Sequence, residues 1–276
     1  MCRFLAYRGA PVSADGFFLR SRYSLGVQSR ASRYKITGPL NEDGFGLGWF
    51  NGHAAPERFV GSDAAWLSHE LPLMAGRVRS GCWFGHIRAA SPGMAVAPAN
   101  SHPFSRQGIL WMHNGLIAEF ARMQPLMLRE MGAQQRRGIQ GTTDSETCFG
   151  LFLALLERAG PEAALRDLVS CVRQWHAHLG LEKPSYLNIA VTNGRWMFAA
   201  RYITDPSKTA VSLFLAENVD YNDNQDGIHL TPRKGNNPCV VVASEPLTDD
   251  LCWNEVPPQS LLEVTPELET RRSSLP

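Results

Sequence analysis

The run Asp43-Gly44-Phe45-Gly46-Leu47-Gly48-Trp49-Phe50 sets glycine at every second position of an apolar strand. Alternate residues of a strand share one face, so this strand offers bare backbone on one side. Such a face suits a place where another backbone or a ligand comes close. Cys82-Trp83-Phe84-Gly85-His86-Ile87-Arg88 and Ile109-Leu110-Trp111-Met112-His113 read as further apolar strands. Helices follow. One is expected from Leu116 to Met131. A second opens near Thr143, where Thr143 and Glu146 match a capping box, and Phe149, Phe152, Leu153 and Leu156 recur on one face. A third runs from Pro161 to Leu179. Strands return at 187–192 and 196–202, joined at Asn193-Gly194, a tight-hairpin signal. More are expected at 210–215, 239–243 and 260–264, and the polar tail from Glu269 to Pro276 is expected to fray. Strands, then helices, then strands predict an α+β sandwich of antiparallel sheets with segregated helices. No repeat or break in composition divides the chain, so one domain is expected.

Composition removes several classes of function. A net charge of +1 gives no global field toward nucleic acid or a membrane surface. No apolar run reaches the roughly 20 residues that span a bilayer, and the mixed segment from Met1 to Gly9 does not read as a secretory signal. The six cysteines, at 2, 82, 148, 171, 239 and 252, include no CxxC pair. They read as reduced thiols of a cytoplasmic protein. His86, His102 and His113 lack metal-ligand spacing, so no metal or other cofactor is expected, and the three read as hydrogen-bonded structural groups.

Cys2 is the residue with the most chemical promise. Its small side chain favours removal of Met1. The thiol would then sit beside a free α-amine with a reference pKa of about 7.7–8.0. That amine can take the thiol proton, and the thiolate is the nucleophile. Alone, a cysteine at position 2 can equally have no role. Its companions are Gly85-His86-Ile87-Arg88-Ala89-Ala90-Ser91 at a strand end, Asn100-Ser101-His102-Pro103-Phe104 in a loop, His113-Asn114-Gly115 at a strand end, and Thr142-Thr143-Asp144-Ser145-Glu146 at a helix start.

In this order behind Cys2, these motifs resemble the glutaminase domain of class II glutamine amidotransferases, which have the N-terminal nucleophile hydrolase fold. Met1-Cys2-Arg3-Phe4-Leu5-Ala6-Tyr7, Asn41-Glu42-Asp43-Gly44-Phe45-Gly46 and Ala243-Ser244-Glu245-Pro246-Leu247 look closer still to the stand-alone branch. That branch includes the ergothioneine-pathway γ-glutamyl amidohydrolases and the fungal glutathione-degrading amidotransferase. The resemblance covers residues 2–265 as one glutaminase-like domain, with 266–276 a polar C-terminal tail. It implies an αββα sandwich of two antiparallel sheets flanked by helices.

The resemblance also implies roles. Cys2 attacks a γ-amide. Asn114 and the backbone N–H of Gly115 stabilise the oxyanion, although Asn-Gly is also an ordinary turn. Arg88 holds the α-carboxylate of a glutamyl group by a two-point contact, or is a strand-end surface arginine. Asp144 takes the α-ammonium, or caps a helix, or both. Ser91 joins the substrate-binding set where the synthase-fused branch usually has threonine. Ala89 replaces the tryptophan usual in glucosamine-6-phosphate synthase, which leaves the pocket wall open. No role is assigned to Ser244 or Glu245 beyond contacts near the site.

The implied function is hydrolysis of a γ-glutamyl amide, glutamine or a conjugate, through a thioester that releases glutamate. The substrate is a small molecule, and neither nucleic acid nor membrane is a partner. The chain ends soon after the glutaminase-like region, so water is the expected acyl acceptor. Two alternatives stand beside it: a glutaminase subunit feeding ammonia to a separate synthase partner, and a silent binding module on the same fold. A homo-oligomer is also open.

Overall fold

The computed structural model describes residues 1–34, 40–53, 55–91 and 93–276. The strands are β1 (Arg3–Ser13), β2 (Phe45–Trp49), β3 (Glu57–Gly61), β4 (Arg79–Ile87), β5 (Phe104–Arg106), β6 (Ile109–Leu116), β7 (Tyr186–Thr192), β8 (Met197–Ile203), β9 (Phe214–Asn224), β10 (Gly227–Pro232), β11 (Pro238–Ala243), β12 (Trp253–Glu255), β13 (Ser260–Val264) and β14 (Thr270–Ser274). The α-helices are α1 (Leu25–Gln28), α2 (Glu70–Arg77), α3 (Phe120–Glu130), α4 (Ala133–Arg137), α5 (Asp144–Leu156) and α6 (Pro161–His178).

Two antiparallel sheets result. The first runs β10-β9-β11-β1-β4-β2-β3, with β12 also on β9, and the second β14-β13-β8-β7-β6-β5. The period of two along each strand sorts side chains into layers. Phe4 and Ala6 of β1, Leu110 and Met112 of β6 and Val240 and Val242 of β11 fill the space between the sheets. Leu5, Tyr7 and Val241 face outward onto Phe17, Phe18, Leu25 and Leu71. Ile109 and Trp111 face the other way, onto Phe149, Phe152, Leu165 and Leu168 of α5 and α6. The molecule is thus layered αββα, the architecture of an N-terminal nucleophile hydrolase. Strands covered on both faces carry few polar residues, which is why β6 and β11 read as near-continuous apolar runs.

The glycine-spaced strand meets a backbone. A Cβ on Gly46 would lie 1.9 Å from the His102 carbonyl oxygen, and one on Gly48 would press on Leu110. Gly46 and Gly48 therefore let residues 102–110 cross close over β2.

Several expectations change. The helix expected from Leu116 begins at Phe120, because Leu116 ends β6, where it pairs with Tyr186. The strand expected at 210–215 begins at Phe214. Before it, the carbonyls of Ala210, Val211 and Ser212 are taken by the side chains of Arg201 and Asn188 rather than by a ladder. The tail does not fray: β14 pairs with β13, Leu275 is buried, and Arg166 donates to the Ser274 carbonyl at 2.7 Å. Half of the capping box forms. Thr143 Oγ1 accepts from Glu146 N at 3.1 Å, but the Glu146 carboxylate turns back to Gln140 N and Gly141 N.

Candidate active site

Cys2 immediately precedes β1, whose first residue Arg3 pairs with Ile87 at the end of β4. This register lays Cys2 against Arg88 and Ala89. The Ala89 N–H donates to Cys2 Sγ at 3.4 Å, and Sγ lies 3.6 Å from the Ala89 carbonyl oxygen. Burial pushes the thiol pKa up. The Ala89 N–H, the terminal ammonium, Arg88 and Arg3 pull the other way without cancelling it. A thiol so placed stays protonated until a base removes its proton.

Residues 88–90 are clamped by the Asp43-Gly44 turn. Asp43 N donates to the Arg88 carbonyl (3.1 Å), Arg88 N to the Gly44 carbonyl (2.7 Å) and Ala90 N to Asp43 Oδ2 (2.8 Å). The Arg88 side chain is buried and donates to two backbone carbonyls, Asp43 at 3.2 Å and Ala95 at 3.1 Å. Among the described residues no carboxylate forms an ion pair with it. Burial lowers its pKa, and Cys2, Asp43 and Asp144 oppose that shift, which places all three within its electrostatic reach.

Asn114 lies on β6, fully buried. Its Nδ2 donates to Ser244 Oγ at 3.2 Å, and its Oδ1 has no partner among the described residues. Ser244 Oγ also accepts from Phe4 N at 3.0 Å, two residues from Cys2. At Gly115 a Cβ would meet the Tyr186 carbonyl oxygen at 1.9 Å and His113 Nε2 at 2.5 Å, so no side chain fits there.

Asp144 is not the helix cap; Thr143 is. As the first residue of α5, Asp144 accepts from Ile117 N and Ser145 N, each at 2.7 Å, and from Ser145 Oγ at 3.2 Å. Ser91 is exposed, three residues past Arg88, with no side-chain hydrogen bond to the cluster among the described residues.

The histidines divide. His113 bonds Ser145 Oγ through Nδ1 (2.8 Å) and the Tyr186 carbonyl through Nε2 (2.9 Å), as expected. His86 and His102 correct that expectation. Their rings stack at 4.2 Å, and among the described residues neither ring forms a well-oriented side-chain hydrogen bond. Burial lowers His86 to about 3 and His102 well below the usual histidine range, so both are neutral.

One network was not legible in the motifs. Arg3 and Glu245 form a buried ion pair at 2.6 Å. Ser32 bonds both, Arg33 N donates to Glu245 Oε2 at 2.8 Å, and Arg3 Nη1 donates to the Cys2 carbonyl at 2.8 Å. Ser244 and Glu245, at the end of β11, thus grip the chain on both sides of the Cys2-Arg3 peptide. A signal existed: Arg3 stands in an apolar strand, and Ser244-Glu245 follows the apolar run 239–243.

Comparison with known proteins agrees with this fold. The chain is 30% identical to the probable glutamine amidotransferase DUG3 of Saccharomyces cerevisiae, over 96% of this chain and 82% of that protein. It is 28% identical to the gamma-glutamyl-hercynylcysteine sulfoxide hydrolase of Mycolicibacterium smegmatis, over 96% of each. The fold superposes on the glutamine aminotransferase class-II domain protein from Silicibacter pomeroyi with a TM-score of 0.68, 22% identity and 99% coverage of both chains. The family model of the class-II glutamine amidotransferases matches residues 20–267, and the chain belongs to that family.

Proposed function

We propose that this chain hydrolyses a γ-glutamyl amide, with Cys2 as nucleophile and water as the final acceptor. The observation that carries the reading is the buried Arg88 guanidinium, which has no carboxylate partner yet stands beside Cys2. An unpaired buried cation is costly, and the α-carboxylate of a glutamyl group would complete it.

With Met1 removed, the α-amine of Cys2 takes the thiol proton. Sγ attacks the γ-carbonyl carbon, and charge moves to its oxygen. Asn114 Nδ2 and the Gly115 N–H receive that oxyanion. The C–N bond then breaks, the leaving amine takes the proton from the α-ammonium, and a γ-glutamyl thioester remains. Water, deprotonated by the same amine, attacks the thioester; glutamate leaves and the thiol reforms. Arg88 holds the α-carboxylate and Asp144 the α-ammonium, while Ser91 borders the pocket mouth. Ser244 turns one Asn114 N–H aside and so aims the other, and Arg3 fixes the carbonyl of the nucleophile. Residues 2–265 form the catalytic unit. The relative named a hydrolase, matched over 96% of both chains, supports water rather than an amine as acceptor.

The test is glutamate release from free glutamine and several γ-glutamyl amides by the processed chain, with peptide mapping after 6-diazo-5-oxo-norleucine. Release that disappears in Cys2→Ala, with label on Cys2, is the expected result. Label on any other cysteine with Cys2 untouched overturns the nucleophile. Release that needs added extract points to a subunit acting with a synthase partner, and no release with Met1 shown to be absent points to a silent module.

A further inference from the structure

Four arginines are buried: Arg3, Arg8, Arg88 and Arg201. Arg3 pairs with Glu245 at 2.6 Å, and Arg201 with Glu255 at 2.8 Å. Arg88 and Arg8 form no ion pair among the described residues, and the remaining positions, 35–39, 54 and 92, include no Asp or Glu. A substrate carboxylate accounts for Arg88. Nothing so far accounts for Arg8.

Arg8 lies on β1, five residues from Arg3, and so at the end of the sandwich away from Cys2. It is 8% exposed. Its Nη1 donates to the Gly194 carbonyl at 2.8 Å and its Nε to the Thr265 carbonyl at 3.3 Å. A third N–H approaches the Cys82 sulfur, whose thiol burial keeps protonated, so it supplies no counter-charge. A guanidinium has five N–H donors, and at least two remain. Arg8 lines a cavity of about 950 Å³. The exposed Arg195 and His53 line it too, with Phe50, Ile109 and Leu268 as apolar wall, and no carboxylate is among the lining residues.

We propose that this cavity is a binding site for a small molecule bearing an oxyanion group, a carboxylate or a phosphate. Arg8 is its buried anchor, Arg195 adds charge at the mouth, and the apolar wall takes the rest of the molecule. A planar guanidinium with free donors suits a two-point contact to either group. The site lies apart from Cys2 and stands whether or not the catalytic reading is right.

Calorimetric titration of the whole chain with inorganic phosphate and with succinate, against chloride at matched ionic strength, tests it and separates the two chemistries. Saturable binding of at least one probe is expected. It should persist in Arg88→Gln, fall about tenfold or more in Arg8→Gln and fall several-fold in Arg195→Gln. Should Arg8→Gln fail to fold, Arg195→Gln, at an exposed position, carries the test. The proposal is overturned if neither probe saturates, if Arg88→Gln abolishes binding, or if binding is indifferent to Arg195 and, where Arg8→Gln folds, to Arg8.

Discussion

Arg88 and Asn114 are both buried, both hydrogen-bonded and both near Cys2, yet they should fail differently when replaced. In the proposed reaction Asn114 meets charge that exists only in the transition state. Asn114→Ala should therefore lower kcat by about 10²–10³ with a small change in KM. Arg88, in the same proposal, meets a carboxylate present in the substrate from the start. Arg88→Lys keeps the charge but loses the planar fork, so KM should rise more than kcat falls. Steady-state kinetics on one γ-glutamyl amide separates the two, and normal turnover by Asn114→Ala would remove it from the mechanism. Ser244 is a third kind of residue. It touches no substrate in the proposed reaction but accepts from both Phe4 N and Asn114 Nδ2. Ser244→Ala leaves the Asn114 amide free to turn, so kcat should fall about tenfold while KM stays. Ser244→Thr, which keeps the hydroxyl, should recover much of the loss. If both variants are equally impaired, packing rather than orientation is at stake.

Between β1 and β11 the same logic becomes one of whole elements. The Arg3–Glu245 pair is buried on both sides. Removing one partner of such a pair strands a charge and costs about 3–5 kcal/mol, whereas replacing both with apolar residues can be nearly neutral. Glu245→Ala should therefore lower the chemical-denaturation midpoint strongly. The double replacement Arg3→Met with Glu245→Leu should restore most of it without restoring kcat, because the Cys2 carbonyl has lost its donor. A double variant that regains full activity would show that the pair holds the fold and not the nucleophile. This network also marks where sequence reading stops. Strands such as β6 and β11 are legible because both faces are buried and nearly every residue is apolar. β1 is not: Arg3, Arg8, Gly9, Pro11 and Ser13 interrupt it, and Arg3, Arg8, Gly9 and Ser13 are there for a partner more than fifty residues away or for a close approach. Gly9, for example, faces the Pro238 carbonyl, 2.4 Å from where a Cβ would stand. The 210–215 run misleads for the opposite reason, since apolar residues there have carbonyls satisfied by Arg201 and Asn188 instead of a neighbouring strand. Likewise Cys2, Arg88, Asn114 and Asp144 belong to recognisable local motifs, whereas Arg3 and Ser32 acquire meaning only when β11 brings Glu245 between them.

At the scale of the whole molecule, the His86–His102 pair ties stability to pH. His86 belongs to β4 and pairs with Phe4 and Gly46, so it sits at the junction of β1, β2 and β4. His102 closes over it, with its carbonyl against Gly46. Protonating either ring in place would bury an unpaired cation near Arg88 and, for His102, near Arg58 as well. In the unfolded chain a histidine has a pKa of about 6.5, whereas His86 in the folded chain is held at about 3. Between those values the unfolded state binds a proton that the folded state refuses. Stability from this ring is therefore complete above about pH 6.5 and is lost progressively as pH falls toward 3. At pH 5 the loss is about 1.5 pH units at 1.36 kcal/mol each, or about 2 kcal/mol from His86 alone. His102 shifts in the same direction and adds to it. Urea midpoints measured from pH 7.5 down to pH 5 should fall by more than surface titration gives. His102→Gln cannot take up a proton, so it should flatten that slope even if it lowers stability at pH 7.5. An unchanged slope in that variant would remove His102 from the effect and leave it to His86, whose own glutamine variant is then measured in the same way.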